Sequence, residues 1–343
     1  MHIKSVLRDR MAQQPAPSMK TLHAHGEAMR NVVETLQAVG RNVAQPTVFA
    51  VSNLAAASVL SAEWDEARRH LEALIRIVDL RGGVSTLDFE LQRQITWASY
   101  GVSIVLQAPP SFPCPMYPST RPFPLALTDD SSIRAWRTLK KFPKNSSFLY
   151  DVVLRLHQIG LATTSEFRDD VDMQAVSNAY FESQHRLLLL GIEQPWMGKE
   201  GPVDRVPELE ALFQVFDHAA QIYLMTTLRH VGTGGERWSL RAKACLIGLV
   251  LSRIRAALSV ENNYNVWTRR RCLDPMVWVL VVCIESCGNV MPERGWFLAE
   301  LRKVLGIMKL KRIEEFRKTL AAFPTTDGLE RVSRGIWDGV SSQ

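Results

Sequence analysis

Apolar residues recur at intervals of three and four along almost the whole chain, and no stretch alternates with period two between hairpin-type turns. A strand buries every second side chain, whereas a helix buries a stripe that returns every three or four residues. The pattern therefore predicts an all-α protein, an irregular multi-helix array of about a dozen helices. Seven prolines fall within the sixteen residues 109–124. Proline lacks an N–H and clashes with the preceding turn, so this stretch predicts a long extended connection between two helical subregions. Its aromatic residues Phe112, Tyr117 and Phe123 are expected to pin it to a surface.

Helices are predicted over 19–39, from Pro46 to Ala57, and over 63–80, 88–107, 131–142, 146–159, 171–190, 207–231, 240–258, 275–287, 293–307, 311–322 and 329–340. Leu22, Met29, Val32, Val33, Leu36 and Val39 follow the rhythm of one buried helix face, with Gly40 as the stop. Ala55, Ala56 and Ala57 form a small-residue patch that lets neighbouring helices pack closely. Trp64, Ala67, Leu71, Leu74, Ile75 and Val78 share a face opposite Arg68, Arg69, Glu72 and Arg76, and Gly82-Gly83 supplies the left-handed cap. Residues 1–18 are expected to be a flexible segment and 19–343 a single helical domain. No repeat of fixed period supports a regular solenoid.

At 343 residues and 46% hydrophobic, the chain is long and apolar enough to bury a large core, which excludes disordered and collagen-like classes. The longest apolar runs, Met276 to Ile284 and Cys245 to Leu251, are far shorter than the roughly 20 residues of a bilayer span. The first residues are basic but lack the apolar core of a secretory leader, so an intracellular protein with free thiols is expected. A net charge of +6 is mild beside the charge density of a dedicated nucleic-acid binder.

Chemistry finds little foothold in the residue pattern. Zinc sites use close cysteine pairs, yet the nearest pair here is Cys283 and Cys287, one helical turn apart on an apolar helix, which reads as two buried thiols. His23 and His25 point to different helix faces, and His70, His157, His185, His218 and His230 lie singly on separate stretches. A terpenoid-synthase type of magnesium site would need a carboxylate where Met173 follows Asp169, Asp170 and Asp172. Gly232-Thr233-Gly234-Gly235 lacks the strand and the Lys-Ser/Thr ending of a phosphate loop. The basic clusters Arg269-Arg270-Arg271 and Lys309 to Arg312 are short enough to be ordinary solvated turns. No catalytic, cofactor-binding or metal-binding residue is predicted, and a helical enzyme remains an alternative only if scattered histidines and acids converge.

The segment 63–87 resembles the regulatory domain of fungal-specific transcription factors. That family carries a helix of the type W-x-x-A-x-x-H-L-x-x-L-x-x-(I/M)-V ending in Arg-Gly-Gly and a following leucine. Trp64, Ala67, His70, Leu71, Leu74, Ile77, Val78, Arg81, Gly82, Gly83 and Leu87 match it. Residues 25–60 look like the paired helices before this motif, and Ile95-Thr96-Trp97 fits the helix after it. In the C-terminal third, Asp274-Pro275, Trp278-Val279-Leu280, Glu293 through Trp296-Phe297, a helix up to Phe323, and Ile336-Trp337 look like the family's closing helices.

The resemblance implies structural roles for Trp64, His70, Leu71, Arg81, Gly82, Gly83, Trp278, Trp296 and Trp337. It implies a nuclear transcription-regulatory protein, shuttling with the cytoplasm, that controls a metabolic gene set. Its partners would be the transcription machinery or another regulator, a small-molecule effector, and a second copy in a homodimer. Family members begin with six closely spaced cysteines that hold two zinc ions, whereas the first cysteine here is Cys114. Direct DNA binding is therefore not expected of this chain. The alternative expectation is a helical interaction module that pairs with a complete zinc-cluster regulator.

Overall fold

The computed structural model describes residues 2–11, 18–39, 43–144, 146–193, 207–227, 244–260, 263–288 and 291–341. Among them are fifteen α-helices, two short 3₁₀ turns and no strand, so the protein is all-α. The chain divides into two compact units, residues 1–116 with 237–249, and residues 117–236 with 250–343. The division falls within the proline-rich stretch. Gly40, His230 and residues 232–235 lie outside the described residues.

The first unit holds α1 (His2–Met11), α2 (Met19–Val39), α3 (Gln45–Ser61), α4 (Trp64–Arg81) and α5 (Phe89–Leu106). Helix α3 is its centre: Val48, Val51, Leu54, Ala55, Ala56, Ala57, Val59 and Leu60 are buried, and α1, α2, α4 and α5 all touch it. The alanine patch permits this close approach, with Ala55, Ala56 and Ala98 packed together beside Trp97. Helix α4 ends as its glycines require. Gly82 and Gly83 have φ of 106° and 94°, and Gly83 N–H reaches back 2.9 Å to Val78 O, a closure open to glycine at little steric cost.

The segment expected to be flexible contains α1. Val6 packs on Ala57 and Leu60 of α3. Asp9 accepts hydrogen bonds from Ser18 N–H at 2.7 Å and from the Thr21 hydroxyl at 2.6 Å, tying α1 to the start of α2. Tertiary polar contacts of this kind leave no periodic trace in sequence.

After α5 the proline-rich segment lies along a polar stripe of that same helix. The Arg93 guanidinium donates to Pro115 O at 3.0 Å, the Thr96 hydroxyl to Pro113 O at 3.0 Å, and the Ser103 hydroxyl to Pro109 O at 3.2 Å. Ser111 N–H donates to the Ser99 hydroxyl at 2.9 Å. A proline-rich segment offers carbonyls but few N–H groups, so most of its anchoring comes from side-chain donors. Phe112 is buried, while Tyr117 and Phe123 are half-buried.

The second unit holds α6 (Leu125–Leu139), α7 (Tyr150–Ala162), α8 (Met173–Glu193), α9 (Pro207–Thr227), the Val250 to Leu258 part of α10 (Ala244–Leu258), α11 (Asn263–Arg269), α12 (Asp274–Cys287), α13 (Arg294–Met308), α14 (Ile313–Leu320) and α15 (Asp327–Ser341). Helix α12 is buried on every side and is touched by α9, α13, α14 and α15. Its Trp278 stands in an aromatic group with Phe216, Tyr223 and Phe323, and its indole N–H donates to Pro324 O at 2.8 Å. Helix α6 begins at Leu125, earlier than the expected 131, because Pro124 takes the cap position just before the first turn. Helix α11 was not foreseen; its seven residues are too short for a periodic signal.

Candidate functional site

The residues singled out by the family resemblance are divided between the two units. In the first unit, Leu71 is buried and Trp64 and His70 are half-buried on α4. The His70 and His25 rings meet edge to face at 6.4 Å, and burial holds the His70 imidazole below its ordinary pKa. The Arg81 guanidinium donates to Val43 O, fastening the end of α4 to the chain before α3. In the second unit, Trp278 is fully buried, Trp296 lies under Arg255 at 5.3 Å, and Trp337 meets Phe316 at 5.4 Å. These contacts give His70, Arg81, Trp278, Trp296 and Trp337 structural roles.

Chemistry of a different kind sits on α9. Every residue from Leu212 to Thr226 except Gln214 is buried, so this helix should be apolar all round. Yet Asp217, His218 and Gln221 occupy its middle, exposed by only 4%, 6% and 5%. Their neighbours sharpen the oddity. Gln221 Nε2 donates to Asp217 Oδ2 at 3.0 Å, and His218 Nδ1 lies 3.7 Å from the same oxygen. A β-carbon at Gly191 of α8 would sit 3.4 Å from it, an ordinary contact distance, so α8 passes directly beside the carboxyl. Two helical turns before Gly191, on the same side of α8, Gln184 is buried.

Burial penalises charge, and it acts oppositely on acid and base. The Asp217 carboxyl is pushed up to about 8, against which the Gln221 hydrogen bond works only in part. The His218 imidazole is pushed down to about 4 by burial, helped by the Arg253 guanidinium. At neutral pH the pair is thus a protonated carboxyl beside a neutral imidazole. Their 3.7 Å separation exceeds hydrogen-bond reach, so no proton relay joins them in this arrangement.

Asp217 Oδ1, both ring nitrogens of His218 and both amide atoms of Gln184 have no hydrogen-bond partner among the described residues. Each such buried group costs about 1–3 kcal/mol unless something satisfies it. Ordered water or a small polar ligand is the ordinary remedy. At Asp217 and His218 these are adjacent donors and acceptors without fixed charge, suited to hydroxyl or amide groups; Gln184 lies two helical turns away along α8.

A second buried histidine is fully explained by structure. Thr138 has a single hydroxyl proton and lies against Ala322 O, so His157 Nε2–H donates to the Thr138 oxygen across 2.8 Å. Burial pushes this imidazole down to about 3. It ties α6 and α7 to the loop between α14 and α15.

No group of three or more His, Cys, Asp or Glu able to hold a metal occurs among the described residues. Cys283 and Cys287 are buried thiols, and burial pushes Cys287 up to about 12 and Cys272 up to about 11. Arg269, Arg270 and Arg271 are exposed, as are Lys309, Lys311 and Arg312. No described helix is long and apolar enough to cross a membrane.

Sequence reasoning counted His218 as a lone histidine and passed over Asp217, Gln184 and Gln221. The available signal was the string Asp-His-Ala-Ala-Gln inside a stretch apolar on all faces. No family model, curated protein or solved structure matches the chain.

Proposed function

We propose that this chain is a nuclear transcription-regulatory protein acting through a helical regulatory domain of the fungal zinc-cluster type. The observation that carries the reading is the segment 63–87, whose matching residues have consistent structural roles. On α4 Leu71 is buried and Trp64 half-buried, Arg81 ties the helix end, and Gly82-Gly83 closes it in the left-handed conformation. The buried, unsatisfied polar atoms of Asp217 and His218 are consistent with an effector function within that reading, since a small uncharged polar molecule would satisfy them. The test is a tagged copy expressed from its own promoter, together with transcript profiling of a deletion strain. Nuclear signal with a coherent set of altered metabolic transcripts is the expected result. Exclusion from the nucleus with no altered transcript overturns it.

A second reading is a helical interaction module that pairs with a complete zinc-cluster regulator. It is favoured by the exposed apolar stripe of α2, where Met19, Leu22, Met29 and Val33 are 80%, 51%, 36% and 46% exposed. Pull-down followed by a gel-shift assay separates the two readings. Sequence-specific DNA binding by the isolated chain excludes the pure interaction module.

A further inference from the structure

Three short basic runs, far apart in the chain, meet at one end of the second unit. Lys140, Lys141 and Lys144 follow α6, Arg269 ends α11 with Arg270 and Arg271 after it, and Lys309, Lys311 and Arg312 follow α13. The Lys141 ammonium meets the Asp274 carboxylate at 2.8 Å, which brings the end of α6 to the start of α12. Arg271 stands three residues before Asp274, so the second run is at the same place. Only residues 288–293 separate α12 from α13, and the two helices pack together, so they run antiparallel and α13 ends where α12 begins. The Lys303 ammonium lies over the Tyr264 ring at 4.4 Å, which likewise lays the last turns of α13 beside α11.

Nearby carboxylates do not balance these cations. Lys141 is half-buried and paired, while the other eight are exposed and form no ion pair among the described residues. The Trp267 indole N–H donates to Glu208 O at 2.6 Å, which places the first turn of α9, with Glu208 and Glu210, close by. Glu314 and Glu315 open α14 but are offset by Arg317 and Lys318 on the same helix. Three helix C-termini converge here, each equivalent to about half a negative charge. Against the eight unpaired cations, the α9 glutamates and these helix ends still leave an excess of about four positive charges. Backbone geometry does not favour two of the cations either. Arg271 and Lys309 have φ of 54° and 57°, the left-handed region that glycine or asparagine enters at less cost.

The chemistry of this end selects its partner. No large apolar side chain within the three runs is exposed, so the surface lacks the anchors of a protein interface and the apolar component of stable membrane attachment. A phosphate backbone is held by lysine and arginine charge without base readout. Packed helices stand about 8–10 Å apart, so runs on neighbouring helix ends are spaced on the scale of the DNA grooves, about 6 and 12 Å wide.

We infer that the end of the second unit around the start of α12 is a sequence-independent contact surface for the phosphate backbone of duplex nucleic acid. The inference stands apart from the regulatory reading, because it needs neither nuclear localisation nor altered transcripts. Backbone contact without base readout also leaves the gel-shift criterion for sequence-specific binding untouched.

The probe is a fluorescein-labelled DNA duplex of about 24 base pairs and scrambled sequence, titrated with the full chain by anisotropy at about 50 to 200 mM salt. With four or five phosphates engaged, the logarithm of the binding constant should fall against the logarithm of salt with a slope of about −4. Together, Arg269→Gln, Arg270→Gln, Lys309→Gln and Lys311→Gln change only exposed side chains and should keep the wild-type circular dichroism. They should weaken binding at least about tenfold at 100 mM salt and flatten the slope by about two or more. If the quadruple variant loses the wild-type spectrum, Lys140→Gln with Lys144→Gln provides the same test. Lys20→Gln, Arg30→Gln, Arg69→Gln and Arg76→Gln remove equal charge from the first unit and should change affinity by no more than about twofold. The inference is overturned if the duplex does not bind at 50 mM salt, if the slope is shallower than about −2, or if the two quadruple variants lose affinity equally. It is equally overturned if phosphatidylserine vesicles or polyglutamate bind this end more tightly than the duplex does, since the occupant would then be a membrane or an acidic protein.

Discussion

Replacing glycine by alanine inside a helix ordinarily stabilises a protein by up to about 1 kcal/mol. At Gly160 of α7 the sign should reverse. A β-carbon there would stand 2.5 Å from Thr325 O and 2.8 Å from the Tyr223 hydroxyl oxygen. The side-chain oxygen has some freedom to move, but the carbonyl belongs to a loop fixed from several directions. Thr138 donates to Ala322 O, the Trp278 indole donates to Pro324 O at 2.8 Å, and Phe323 is fully buried with its ring stacked 6.2 Å from that of Trp278. An ordinary carbon-to-oxygen contact needs several tenths of an ångström more than is present, and a forced shift in a packed interior costs about 1–3 kcal/mol. A well-anchored loop places the cost near the upper end. Subtracting the helix-propensity gain leaves Gly160→Ala destabilised by about 2 kcal/mol. With a urea slope of about 2–3 kcal/mol/M, the unfolding midpoint should fall by roughly 0.7–1 M. The internal control is Gly335→Ala in α15, where a β-carbon meets nothing within 4 Å, and there the midpoint should rise slightly or stay. If Gly160→Ala raised the midpoint alongside Gly335→Ala, the close approach of α7 to the 321–326 loop would be refuted.

Titration of the buried groups gives two opposed pH dependences. His157 has its pKa lowered from 6.5 to about 3, so the unfolded chain gains a proton that the folded chain resists; stability is full above 6.5 and declines as pH falls toward 3. His157→Gln should flatten that acid limb in urea melts taken between pH 4 and 7, and an unchanged slope refutes it. Asp217 is raised from 3.8 to about 8, so its contribution is present below 3.8 and is lost as pH rises through 8. Asp217→Asn, which cannot ionise, should therefore gain stability relative to wild type as pH climbs from 4 to 8, and a constant difference in thermal melts would sink the assignment. Gly82→Ala forces φ of 106° on a residue with a β-carbon and should cost about 1–2 kcal/mol by denaturant melt, while a neutral effect would contradict the left-handed cap.

The helix ends at Gly82-Gly83 and the burial of Trp278 were legible because each depends on one residue's covalent nature or on a local run of apolar neighbours. Helix α1 was not, because what holds it is Asp9 meeting Ser18 and Thr21 across a gap of nine and twelve residues. Helix α5 itself was legible, but the role of its polar stripe was not: Arg93, Thr96, Ser99 and Ser103 look like unremarkable helix polar residues until the proline-rich segment is laid against them. The polar group on α9 was half legible. A single histidine in an apolar helix is weak, but an aspartate, a histidine and a glutamine within five residues of a fully buried helix point to a shared environment.

The outward face of α2 shows what periodicity can and cannot report. A stripe of apolar residues says that some surface gains by covering it, since leaving it in water forgoes about 25 cal/mol for each Å². It does not say whose surface that is. Helix α12 met the demand internally, because it is apolar on every face and only a protein interior can surround it. Helix α2 has a narrow seam bounded by Arg30 and His23 on one side and by the small-residue contact with the first unit on the other. Burying that seam against α1 or α3 would have rolled Arg30, one position round from the seam, toward the interior, where an unpaired guanidinium is costly. The orientation with small residues inward and the seam outward avoids that burial, which is why the charge beside the stripe, rather than the stripe itself, carried the information about which way the helix would face.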